Sequence, residues 1–199
     1  MDKMLLFLWL LLGNISLNAQ NNLFHGYLIT LDGKILSGHI GAINRVGEIS
    51  YLYFENDFGT KYSIRPQLIK GFVFRRDSLS FIFESHFFRR QWRFLQIIYP
   101  GREILLYQSP NIQVDWYILN GRLISRINQT KALWLRAKNQ KLIKIKKRNF
   151  KRKLKRYFRK SAPELAEKIE NNQYQFEDIL DIVKEYTQIK NEASRKIRL

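Results

Sequence analysis

The chain has 199 residues, 45% of them hydrophobic and 14% aromatic, enough apolar mass for one well-buried core and too much for a disordered polypeptide. Its 35 Lys and Arg against 17 Asp and Glu give a net charge of +18, a field that favours anionic partners. Cysteine is absent, which excludes a disulfide framework, a cysteine-linked lipid anchor and a thiolate metal site.

At the start of the chain, Lys3 precedes the apolar run Met4 to Leu12, and a polar segment then ends in Leu17-Asn18-Ala19. That order of charge, apolar core and small residue predicts a secretory signal over residues 1–19, cleaved after Ala19. Nine apolar residues are too few to span a bilayer, and no later run is long enough. Cleavage removes Asp2 and Lys3 together, so the charge excess survives. The expected destination is the periplasm or the cell exterior.

Residues 20–145 read as an antiparallel β-rich domain. Runs of β-branched and aromatic residues alternate with turn signals, and about eleven strands fit between Phe24 and Ile145. Leu31-Asp32-Gly33-Lys34 joins the first two. Turns follow at Asn44 to Gly47, Asn56 to Gly59, Arg65-Pro66, Pro100-Gly101 and Asn120-Gly121. Leu79 to Phe88 is apolar on both faces and predicts a central strand, with Ile69 to Arg75, around Gly71, as its partner. Val114, Trp116 and Ile118 alternate with Gln113, Asp115 and Tyr117, predicting a strand buried on one face.

Residues 146–199 form a helical C-terminal module. From Lys131 to Lys160 there are fifteen Lys or Arg and no acid, whereas Glu164 to Glu192 holds eight acids and three lysines. Within the cationic run, Phe150, Leu154, Tyr157 and Phe158 fall on one face of a first helix. Ser161 as cap, Pro163 in the first turn and Glu164 start a second helix, which ends near Asn171-Asn172. A third runs from about Gln175 to Lys190 with Phe176, Ile179, Leu180, Val183, Tyr186 and Ile189 as its apolar stripe. The fold class is therefore α+β: an antiparallel β-rich domain, sandwich or open barrel, followed by a three-helix module.

The segment FKRKLKRYFRKSAPELAEKIENNQYQFEDILDIVKEYTQ resembles the tail of a family of secreted, uncharacterised proteins of Bacteroidota, and HGYLITLDGKILSGHI resembles that family's opening hairpin. The resemblance covers most of the mature chain. It implies export, a β-rich body and a helical tail, and brings no activity, cofactor or catalytic residue. Where relatives resemble Asp-Cys-Pro, this chain has Ser161-Ala162-Pro163, so any disulfide of theirs is missing here.

Catalytic signatures are absent. No serine lies in a Gly-x-Ser-x-Gly elbow, and no glycine-rich phosphate loop leads from a strand into a helix. His25, His39 and His86 are the only imidazoles, and a two-residue turn at Asp32-Gly33 would point His25 and His39 to opposite sides of the sheet, so no metal or cofactor is expected. Glu84 stands out among the carboxylates because it lies inside an apolar strand, where a solvent-facing position is the simpler expectation and a paired, buried carboxylate the sharper one.

The candidate binding residues are Lys144, Lys147, Arg148, Lys151, Arg152, Lys155, Arg156 and Arg159, dense cations with no acid between them. Their expected partners are anionic lipid headgroups or envelope polysaccharide; export separates the chain from nucleic acid, and no reader motif is present. Pairing of these cations with the acids of the next two helices is the competing expectation. The reading is thus a non-enzymatic envelope binding or accessory protein. The alternative is an envelope-acting hydrolase with a site in the concave face of the sheet.

Overall fold

A computed structural model describes residues 23–46, 49–110, 113–119, 122–127 and 132–196. The predicted signal, Gly47, the Asn120-Gly121 turn and the facing of Val114, Trp116 and Ile118 lie outside what is described. The strands are β1 (Phe24–Thr30), β2 (Ile35–Val46), β3 (Ile49–Asn56), β4 (Lys61–Ile64), β5 (Ile69–Arg76) and β6 (Leu79–Phe88). They continue with β7 (Gln91–Pro100), β8 (Ile104–Gln108), β9 (Gln113–Leu119), β10 (Arg122–Ile127), β11 (Leu133–Ala137) and β12 (Ile143–Ile145). All twelve belong to one sheet, one strand more than the sequence spacing predicts.

The sheet runs β10-β9-β2-β1-β5-β6-β7-β8-β11-β12, with β3 branching from β2 and β4 from β3. Every pairing is antiparallel except β2 with β9. The long β2 makes the branch possible: Ile35–Ile40 pair with β1, Ile43–Val46 pair with β9, and β3 takes the opposite edge. A register shift between Ile40 and Ile43 marks the change of partner, as a bulge that bends the strand would. The sheet curls until β3 touches β7, giving an open barrel.

Alternation puts one face of β1 to β7 inside the barrel. Leu28, Ile40, Ile43, Leu52, Phe54, Ile69, Phe72, Phe74, Phe83 and Phe94 form its core. The Phe72 and Phe83 rings stack at 4.5 Å, and the Phe94 ring meets Phe72 edge-on at 5.2 Å. The expected central pair is present, with Gly71 opposite Glu84. A Cβ at Gly71 would lie 2.1 Å from the Phe83 carbonyl oxygen, so β5 and β6 approach this closely only with glycine there.

Two turns differ from expectation. Asn44 lies within β2, opposite Tyr51, so the β2–β3 turn comes later than predicted. The β1–β2 loop is longer than two residues: the Thr30 N–H donates to Lys34 O and the Gly33 N–H to Thr30 O, with Gly33 at φ +90°. Leu31-Asp32-Gly33 is thus a three-residue loop with glycine in the left-handed position. The register moves by one, and His25 pairs directly with His39.

After β12 the chain turns through Lys147–Asn149 into helices α1 (Phe150–Phe158), α2 (Pro163–Glu170) and α3 (Ile179–Lys196). Phe150, Leu154 and Phe158 of α1, Leu165 and Ile169 of α2, and Ile182, Val183 and Tyr186 of α3 pack with Ile104, Leu106, Leu135, Ala137 and Ile145 of the sheet. Helix α3 lies along β8, and Tyr99 Oη donates to Thr187 Oγ1 at 3.3 Å. Ala162, not Ser161, is the α2 cap; the Ser161 hydroxyl instead accepts from Gln140 Nε2 at 3.3 Å. Residues Phe176–Asp178 form a 3-10 turn, so α3 begins at Ile179, and its buried stripe is Ile179, Ile182, Val183 and Tyr186, spaced by three, one and three. Leu180, expected on that stripe, is 38% exposed.

This packing separates two positions only two residues apart. Ile182→Asp is expected to destabilise the protein by about 3 kcal/mol or more, since it buries an unpaired carboxylate or detaches the helix, whereas Leu180→Asp should cost less than about 1 kcal/mol. Thermal unfolding of both variants measures it; equal melting temperatures would mean that α3 does not pack as described.

Candidate functional site

Two clusters of chemically capable side chains stand out. The first centres on Glu84, which alternation places on the outer face of β6, opposite in direction to Phe83. One carboxylate oxygen, Oε2, accepts from Tyr107 Oη at 2.8 Å and from an Arg136 guanidinium N–H at 3.0 Å, with His86 Nε2 also 3.0 Å away. The Tyr107 ring meets His86 edge-on at 5.0 Å. The network reaches over β7, joining β6 to β8 and β11.

Burial pushes the Glu84 carboxyl up, but the hydrogen bonds from His86 and Tyr107 and the Arg136 charge outweigh it and hold the group below the usual Glu value. Burial, then the adjoining carboxylate, pushes the Tyr107 hydroxyl up, so it stays a neutral donor. The expectation of a simply solvent-facing Glu84 is therefore corrected: this is a half-buried, ionised and paired carboxylate. Its oxygen is saturated with donors, which suits a brace across three strands better than a free base.

The histidine geometry is corrected as well. His25 and His39 share the outer face with ring centroids 5.8 Å apart, because the three-residue loop changes the register. Glu55 is opposite His39 but accepts from Tyr53 Oη at 3.2 Å. Among the described residues no three His, Asp or Glu side chains gather as a metal would require.

The second cluster is cationic. Helix α1 turns its apolar side to the core, and the remaining residues divide into two flanks by the 3.6-residue period. On one flank the cations meet polar groups of the tail: Lys155 pairs with Glu170, Lys151 donates to the Asn172 amide oxygen, and Lys147, just ahead of the helix, pairs with Glu177 at 2.6 Å. On the other flank Arg152, Lys153 and Arg156 line an open groove of about 660 Å³ with Gln140, Lys141, Ile143 and Tyr157. No carboxylate among the described residues lies within ion-pair distance of Lys141, Arg152, Lys153 or Arg156.

Tyr157 forms the wall between groove and core. Its hydroxyl accepts the Ala137 N–H at 2.8 Å and donates to Lys141 O at 3.3 Å, and burial pushes it up to about 12. Beyond the groove, Lys144 lies over the Trp134 ring at 5.1 Å, and Lys153 Nζ donates to Lys144 O at 2.6 Å. Burial first, then Arg93, Lys146, Arg89 and Lys153, lowers the Lys144 ammonium below the ordinary Lys value. Lys153 is lowered in the same way, by burial and then by Arg89, Lys146 and Arg152. These cations crowd one another.

The eight predicted cations thus separate. Arg152 and Arg156 reach the groove and Lys144 its continuation; Lys147, Lys151 and Lys155 face the tail's own polar groups; Arg148 and Arg159 are exposed at the two ends of α1. Sequence reading left out Lys141 and Lys153, although Lys153 shares a flank with Arg156 at a spacing of three. It also left out Arg89, which only the tertiary fold brings to Lys144. No family model, no curated protein and no solved structure matches this chain.

The Glu84 brace makes stability depend on acid. Because the carboxyl is lowered in the folded state, its contribution is complete above the ordinary value of 4.5 and is lost as pH falls through the folded one. Glu84→Gln should therefore be less stable than the parent by about 1–2 kcal/mol at neutral pH, the two converging as the medium becomes acid. Denaturant titrations at neutral and acid pH test this. A difference that does not change with pH would show that the carboxylate charge plays no part.

Proposed function

We propose that this chain is an exported, non-enzymatic envelope protein that binds an anionic partner through the groove flank of α1 and the adjoining end of β12. The crowding of Lys141, Lys144, Arg152, Lys153 and Arg156 carries this reading. The chain has acids within reach of the tail and places them on the other flank. Like charges held together are relieved by a bound anion, which raises the lowered ammonium groups and releases counterions. Export is supported by Lys3, the apolar run Met4 to Leu12 and Ala19. The concave face of the sheet, by contrast, is filled by phenylalanines and by the tail helices, and Glu84 points away from it.

The flanks supply an internal control. Replacing Arg152, Lys153 and Arg156 by glutamine should weaken binding of a sulfated polysaccharide or of anionic vesicles by roughly tenfold or more at low salt, and flatten its salt dependence. Replacing Lys151 and Lys155 by glutamine should change it far less, since those groups already have partners. Equal losses from both variants would reject the groove as the binding face.

A further inference from the structure

We propose that the β6–β7 hairpin is the part of this basic face that enters the interface of an anionic lipid bilayer; the inference rests on the anion-binding reading above and names its partner. The hairpin closes through Arg89 and Arg90, between the paired residues Phe88 and Gln91. Both arginines have left-handed backbones, φ 49° and 65°. Such a turn favours Asn-Gly, and a side chain with a Cβ makes it less stable at each position. Both side chains are exposed, so burial does not account for them.

The flanking residues point the same way. Phe87 is 59% exposed and Trp92 39% exposed, and their rings meet across the hairpin at 5.6 Å. Two residues further in on the same face, Phe94 is only 2% exposed. The aromatic pair therefore continues the apolar face beyond the barrel core into solvent. On the other face the tip is braced, with Phe88 edge-on to buried Trp134 at 4.6 Å and the Arg89 guanidinium 5.5 Å from the Phe88 ring.

Charge completes the pattern. Arg89 lies close enough to Lys144 and Lys153 to lower both, so the tip belongs to the cationic cluster and not to a separate surface. Arginines beside an exposed Trp and Phe match the headgroup region of a bilayer, where guanidinium groups meet lipid phosphates and amphipathic rings lie at the hydrocarbon boundary. A soluble polyanion would satisfy the cations and leave both rings in water. The rings are tilted by 50° to each other, which offers no flat platform for a sugar.

The test uses the mature chain, residues 20–199, which lacks the apolar run and Trp9, with phosphatidylglycerol–phosphatidylcholine vesicles and, separately, dextran sulfate. The parent should bind both, and vesicle binding should persist at salt concentrations that release dextran sulfate. Phe87→Ala with Trp92→Ala should lose that salt-resistant part, about a tenfold fall, with dextran sulfate affinity unchanged. If the double variant misfolds, Trp92→Phe decides: brominated acyl chains should quench the parent's tryptophan emission and quench this variant much less at similar vesicle affinity. Unchanged vesicle binding by the double variant, or unchanged quenching in Trp92→Phe, would overturn the hairpin's role. A parent that binds dextran sulfate but not vesicles overturns this inference and leaves the anion-binding reading standing; one that binds neither overturns both.

Discussion

The orientation of α1 depends on the apolar seam between the tail helices and strands β8, β11 and β12. Phe150, Leu154 and Phe158 cannot leave Ile104, Leu106, Leu135 and Ile145 without exposing several large side chains, each worth roughly 1.5–3 kcal/mol when buried. Once that side of the helix is buried, its rotation is set, and with it the direction of every lysine and arginine it carries. One flank must face the acidic helices and the other must face the groove. Charge alone would not choose this arrangement, because exposed ion pairs contribute little. Packing chooses it, and the cations are left either neutralised or crowded.

The two clusters show opposite treatments of buried charge. Around Glu84 one carboxylate receives a phenol, a guanidinium and an imidazole, and the result is a satisfied link between strands that are not neighbours. Around Lys144 and Lys153 the neighbours are cations, and the cost of holding them is met by the fold rather than by a counter-charge. The first arrangement is complete in itself. The second holds like charges side by side.

Much of the architecture was readable because it follows from periodicity. The β5–β6 pair agrees with a spacing of two residues and the face of α1 with one of 3.6. The departures arise where one residue changes phase. A third residue in the β1–β2 loop brings His25 and His39 together, and Ile182 in place of Leu180 completes the helical stripe of Ile179, Val183 and Tyr186. The candidate site was readable in composition but not in partition, because Glu170 and Glu177 reach Lys155 and Lys147 only in the folded tail. Arg89 is more than fifty residues from Lys144, so no local pattern joins them.

The parallel contact between β2 and β9 bears on the order in which the chain assembles. Ile43 is paired with Gln113 and Val46 with Trp116, partners about seventy residues apart, whereas most other strand pairs are joined by short hairpins. Closing so long a loop removes chain entropy before any bond rewards it. The far end of β2 therefore stays without a neighbour on that edge until β9 reaches it, and its amide groups are open to water and to other chains in the meantime. A sheet that completes itself only through so distant a segment closes that edge slowly, and the exposed strand edge is the place where a second chain could pair before it does.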